Sequence, residues 1–259
     1  MKILPGGCRV FTPDDGQAGS AGGWRWRTPI CRANGADRIT QSVSEFSGGR
    51  APVVVNPQAE EALYVVEGEG VCYIDGWPYP VSPGIAIYVP PAAEYCFENT
   101  GEAALRVLHA CCPEDFGRHF VETPRVVETP RAADSSATPN DAPKRTVREV
   151  DRELIPAGAD RHFRYLVHTD LGCRQITQFA GWIPTSKAIP HTHTYEEGIF
   201  ILSGRGLVHV DGDTCEFETG SSIYFPIGVR HCIENAEAAP IRLLGAFYPS
   251  GSPGAAYED

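Results

Sequence analysis

Residues 61–70 read EALYVVEGEG, and residues 197–206 read EGIFILSGRG. Laid over one another at an offset of 136, the two stretches stay in register for some fifty residues. Asp75-Gly76 falls on Asp211-Gly212, Gly84 on Gly220, Tyr88 on Tyr224 and Pro90 on Pro226. Cys96 falls on Cys232, Glu98-Asn99 on Glu234-Asn235 and Arg106 on Arg242. Upstream, Ile39-Thr40-Gln41 matches Ile176-Thr177-Gln178 at an offset of 137, so one residue was gained or lost between. Self-similarity on this scale means one folding unit built twice.

The shared residues say what that unit is made of. Asp-Gly dipeptides and lone glycines supply the positive φ that tight hairpins need. Between them run LYVVE, VCYID, IAIYV, GIFIL, LVHVD and SIYF, short segments rich in β-branched and aromatic residues. Strand-length runs between regularly spaced turn signals predict an all-β antiparallel sandwich or barrel. Helical periodicity is missing. Gly 27 and Pro 22 in 259 residues fit many turns better than long helices.

Between the copies the composition changes. Residues 113–149 are dense in proline and small polar residues, with VETPR occurring twice. Such a stretch buries too little apolar surface to fold alone, and its prolines keep it extended. The expected organisation is an N-terminal barrel over 1–112, a Pro-rich linker over 113–149 lying along the barrels, and a C-terminal barrel over 150–259. The formal charge of −11 argues against nucleic acid and anionic membrane surfaces as partners. The N-terminus lacks a signal-peptide pattern, and no apolar run approaches a membrane span. Nine cysteines, none spaced CxxC, read as reduced thiols of a cytoplasmic protein.

The copies differ where chemistry would sit. Residues 191–198 read HTHTYEEG, whereas the equivalent residues 55–62 read VNPQAEEA. Alternate residues of a strand share a face, so His191 and His193 point the same way, into the barrel. Glu197 follows, and His231 arrives from a later hairpin. Three imidazoles and a carboxylate make a mixed N/O site for one divalent transition metal (Fe, Mn, Ni, Cu or Zn), and disfavour Ca or Mg. Four protein ligands on an octahedral ion leave two positions for water, dioxygen or a substrate. Ile199, Ile201 and Ile233 share the parity of the ligands and are expected to line the pocket, with Gln178 or Trp182 reaching it from a neighbouring strand. Glu196 has the wrong spacing and is read as facing solvent. His109, His119, His162 and His168 are read as solvated, His209 as outward-facing, and Cys232 as pointing away from the metal.

HTHTYEEGIFILSGRG followed by GSSIYFPIGVRHCIEN resembles the two motifs of the cupin superfamily. His191, His193, Glu197 and Gly204 fill the first; Gly220, Pro226, Gly228, His231 and Asn235 fill the second. Thr185 stands where the first motif usually has its leading glycine. The resemblance implies two jelly-roll (double-stranded β-helix) barrels in one chain, a bicupin, and a homodimer through barrel edges. In the first copy Val55, Pro57 and Tyr95 replace the three histidines and only Glu61 remains, so that barrel is read as a scaffold without a metal. A ligand pocket lined by Val55, Tyr95 and Glu61 is the alternative.

The superfamily offers several activities for a small-molecule substrate. A dioxygenase acting on a small aromatic or enediol-type substrate suits the three-His-one-Glu set and an apolar pocket that excludes water. A non-redox Mn or Zn isomerase, cyclase, lyase or aminohydrolase is the alternative. A third reading is a bicupin that binds metal or a small molecule without turnover.

Overall fold

The computed structural model describes residues 1–113, 117–122, 142–157 and 160–253. Among them there is no α-helix, only strands and short 3-10 turns. The chain forms two jelly-roll barrels, each a large sheet facing a smaller one. In the N-terminal barrel, strands Glu60–Glu67 and Leu105–Cys112 lie at the centre of a seven-stranded sheet. Its facing sheet is built on Gly70–Ile74 and Glu94–Asn99. In the C-terminal barrel the equivalent central strands are Glu196–Ser203 and Ile241–Tyr248, facing a sheet built on Gly206–Val210 and His231–Asn235.

The repeated turn residues act as their chemistry requires. Asp75 and Gly76 have φ of 48° and 81°, and Asp211 and Gly212 have 47° and 91°. These mirror-image turns match the right-handed twist of the strands they join. Ile74 is thereby set opposite Trp77, and Val210 opposite Asp213. Asn99 and Asn235 are equally alike. Each donates its side-chain amide to two backbone carbonyls, Phe46 and Ala103 in one copy, Ile183 and Ala239 in the other.

Three large apolar clusters result, beside a small one of Val53, Tyr73 and Cys96. One fills each barrel, around Leu63, Val65, Ile87 and Phe97 in the first and around Ile199, Ile201, Ile223 and Phe225 in the second. The third lies between the barrels and joins Tyr64, Tyr88 and Leu108 to Leu171, Phe200, Tyr224 and Leu244. The central strands are therefore covered on both faces. That is why EALYVVE and EGIFILS read as near-continuous apolar runs instead of alternating with polar residues.

Covering the outer face corrects the expectation for Glu196. Its parity does take it away from the barrel interior, but what lies outside is the other barrel. Glu196 is 2% exposed. It accepts the backbone N–H groups of Asp37 (3.1 Å) and Arg38 (2.5 Å) and the hydroxyl of Tyr224 (2.7 Å). Its twin Glu60 accepts Arg174 N (2.9 Å), Gln175 N (2.7 Å) and the hydroxyl of Tyr88 (3.0 Å). Gln178 belongs to the same interface. Its amide donates to the carbonyl of Ala62, as Gln41 donates to that of Gly198. Gln178 is thus a contact between barrels and does not line a pocket.

Strands are also exchanged across the expected boundaries. Arg9–Phe11 pairs with Ser222–Phe225 of the C-terminal barrel, and Thr146–Arg148 pairs with Ile85–Val89 of the N-terminal one. Residues 1–112 and 150–259 are therefore not self-contained sheets, since the C-terminal barrel takes a strand from residues 1–112 and the N-terminal barrel takes one from the segment expected as linker. The described ends of the Pro-rich segment carry strands as well, His119–Phe120 pairing with Val54–Val55. Residues 123–141, which hold most of the VETPR duplication, lie outside the described residues.

Candidate metal centre

His191 and His231 face each other across an isolated antiparallel bridge, His191 N to His231 O at 3.0 Å and His231 N to His191 O at 2.9 Å. His193 is tied to the same loop by Gly228 N donating to its carbonyl at 2.9 Å. The two histidines of HTH thus sit in an extended run outside any regular strand, held by backbone bonds to residues 228–231. Gly228 has φ of 75°, a left-handed conformation that suits glycine.

One nitrogen from each of His191, His193 and His231 lies within 4.8 Å of the others. The ring orientations are fixed by neighbours. His191 Nδ1 bonds Ile189 O at 3.0 Å and His231 Nδ1 bonds Val229 O at 2.8 Å. Both rings are thereby set in the tautomer that makes Nε2 the ligating nitrogen. His231 stacks on Phe225 at 3.7 Å, and His193 stacks on Tyr195 at 4.5 Å, which in turn stacks on Phe247.

Burial sets the protonation of the group. It lowers the His193 pKa to about 2, helped by His231 and His191. It lowers His231 to about 4 and also depresses His191. Burial pushes Glu197 the other way, up to about 8. Glu197 Oε2 stands 3.4 Å from His193 Nδ1, yet these shifts make the contact a neutral carboxyl beside a neutral imidazole, not an ion pair. His193 Nδ1 is buried with no hydrogen-bond partner. Neutral imidazoles whose donor atoms converge, beside a carboxyl that keeps its proton at neutral pH until a cation displaces it, fit a transition metal.

The cluster lies at a cavity of about 100 Å³ whose walls are mostly apolar. Ile199, Ile233 and Trp182 are among the residues that line it, although Trp182 shares the strand face of Gln178 and packs against the cluster between the barrels. Ile201 is fully buried in the barrel core but does not reach the cavity wall. Phe163, Phe179, Tyr195 and Leu243 line it too, as do Arg161 and His162. His162 and Phe163 come from His162–Tyr165, a strand that lies between Ile155–Pro156 and Thr177–Ile183. No motif marks that strand, so only the sheet order shows that it borders the site. His162 is therefore a wall residue and not simply solvated. His209 bonds Glu234 Oε2 at 2.7 Å on the outer side of the sheet.

The N-terminal barrel differs at the equivalent place. Glu61 is fully buried and accepts the Tyr95 hydroxyl at 2.7 Å. His109, read from sequence as solvated, is 1% exposed and packs among Trp24, Phe46 and Phe97. Its parity turns it inward, towards Glu61.

Comparison with known proteins agrees with this architecture. Variants of Bacillus subtilis oxalate decarboxylase OxdC superimpose with a TM-score of 0.73 at 16% identity, over 92% of this chain and 76% of theirs. At that identity the likeness is one of fold. An uncharacterized protein of Methanocaldococcus jannaschii is 42% identical over 89 residues, 33% of this chain and 71% of that protein. The dimethylsulfoniopropionate lyase DddW of Ruegeria pomeroyi is 33% identical over 72 residues, 27% of this chain and 47% of the lyase. The family described as Cupin domain matches twice, over residues 47–111 and 182–247, together about half of the chain. The chain therefore belongs to the Cupin domain family, as a bicupin with one intact and one degenerate set of motif histidines.

Proposed function

We propose that the C-terminal barrel is the active centre of a metal-dependent enzyme acting on a small oxygen-bearing substrate, with His191, His193, His231 and Glu197 holding one divalent transition ion. The observation that carries this reading is the convergence of three neutral imidazoles, two of them buried, at the wall of an apolar cavity. Such an ion, when bound, would polarise a substrate oxygen as a Lewis acid. The chain's own residues do the rest. Backbone carbonyls of Ile189 and Val229 fix two rings, and Glu197 supplies a negative charge once a cation displaces its proton. Phe163, Phe179, Ile199 and Leu243 keep water away.

Non-redox bond cleavage is the reaction class we favour, because a lyase and a decarboxylase are among the similar proteins. A dioxygenase acting on a small aromatic or enediol-type substrate is the second reading, supported by the same water-excluding wall. Metal analysis of protein purified without chelator, followed by assays of small carboxylic acids, catechols and enediols with and without oxygen, separates them. Turnover without oxygen supports cleavage, and oxygen uptake supports the dioxygenase. Protein that binds none of the five metals sinks both.

A further inference from the structure

Where the C-terminal barrel gathers imidazoles, the N-terminal barrel holds a different charge cluster. Arg118 brings its guanidinium 3.6 Å from Glu61 Oε2. The same nitrogen donates to the Tyr95 hydroxyl oxygen at 2.5 Å and to His109 Nδ1 at 3.4 Å. The guanidinium carbon lies 5.2 Å from the ring of Trp24 and 5.9 Å from that of Tyr95. Glu61 and Tyr95 are the twins of Glu197 and His231. Arg118 enters just before the strand His119–Phe120, which pairs with Val55, the twin of His191.

A carboxylate with no access to water stays ionised only beside a cation. Burial would raise the Glu61 pKa, but Arg118 and the Tyr95 hydroxyl outweigh it and hold the carboxyl below its ordinary value. Burial keeps His109 neutral, so its Nδ1 is free to accept from the guanidinium. Glu61 Oε1 and His109 Nε2 are buried without hydrogen-bond partners, so the cluster has polar capacity beyond what Arg118 uses. A planar delocalised cation matches a carboxylate, a phenol oxygen and aromatic faces together. A compact ammonium has no flat face to lay on these rings, and a transition ion would find only one carboxylate and one imidazole.

We propose that this cluster is a guanidinium-binding site filled in cis by Arg118, and that it takes up a free alkylguanidinium when the Arg118 side chain is removed. The proposal is independent of the reading of the C-terminal centre. The test is thermal denaturation and calorimetry of Arg118→Ala titrated with millimolar methylguanidinium. The variant should melt lower by on the order of 10 °C. Methylguanidinium should restore the loss saturably at one site, while methylammonium and zinc should not. The double variant R118A/E61Q should show no saturable response. A Tm that does not rise, or an equal response in the double variant, overturns the proposal. If R118A does not accumulate folded, hydrogen exchange on Glu61→Gln decides. The Val121 amide, bonded to Val53 O at 2.9 Å, should exchange at least about tenfold faster than in the unaltered protein. Unchanged exchange there refutes the role of the carboxylate in holding this segment.

Discussion

At the scale of single residues, the C-terminal centre depends on imidazoles that bind as neutral bases and a carboxyl that must lose a proton. Replacing His193 or His231 by alanine should lower metal affinity by at least about 100-fold, measured by competition with a chromophoric chelator. The pH behaviour follows from the direction of each shift. His193 and His231 have folded pKa values below their unfolded ones, so without a cation the fold loses stability as pH falls below about 6.5. Glu197 has a folded pKa raised to about 8, so the fold binds its proton more tightly and loses stability as pH rises from about 4.5 through 8. The cation-free protein should therefore show its highest Tm in mildly acid buffer. Metal should raise Tm most on the alkaline side, with roughly one proton released per ion at neutral pH. Calorimetry in buffers of different ionisation enthalpy reads that proton directly, and no release would mean that Glu197 is not a ligand.

At the scale of the element, the duplicated turns show which motif residues serve the fold and which serve the site. Asn99 and Asn235 close the same loop in both barrels, so this motif position survives where the histidines do not. The Gly228 turn is more telling. Its twin is Ala92, which keeps the left-handed conformation at φ of 62° although it carries a Cβ. Ala92→Gly should therefore stabilise the protein by about 1 kcal/mol, and Gly228→Ala should destabilise it by a similar amount. Urea denaturation of both variants checks this, and equal midpoints for Ala92→Gly and the parent would contradict it. Gly228 has a second task, because its N–H holds the His193 carbonyl. Its substitution should weaken metal binding as well as the fold.

At the scale of the whole molecule, two reciprocal sets of bonds make the barrels one body. Glu60 and Glu196 each reach across to cap two backbone N–H groups of the other barrel. Glu196→Ala would remove the acceptor of both donors at this partly buried contact and should cost about 1–3 kcal/mol, seen as an earlier urea midpoint for both barrels together. Strand exchange makes a sharper prediction. Deleting residues 1–11 removes the strand that covers Ser222–Phe225, next to the strand that carries Glu197. The truncated protein should lose metal from the C-terminal centre although the deletion lies far from it in sequence. Full metal occupancy in that protein would show the exchanged strand to be dispensable.

What the sequence determined by itself was whatever depends on local chemistry and on period. The repeat, the Asp-Gly hairpins, and the grouping of Ile199 and Ile233 on the site face all follow from turn preference and strand alternation. The tertiary structure alone decided what lies opposite each face. Strand parity turned Glu196 outward, but only the packing of the second barrel made that outside a buried interface and drew into it Gln178, which was expected at the pocket. The inward turn of His109 likewise acquired meaning only when Arg118, from a segment without a motif, was brought against Glu61. Alternation fixes which residues share a side of a sheet. It carries no information about which distant segment covers that side, and burial, protonation and partners all follow from the covering segment.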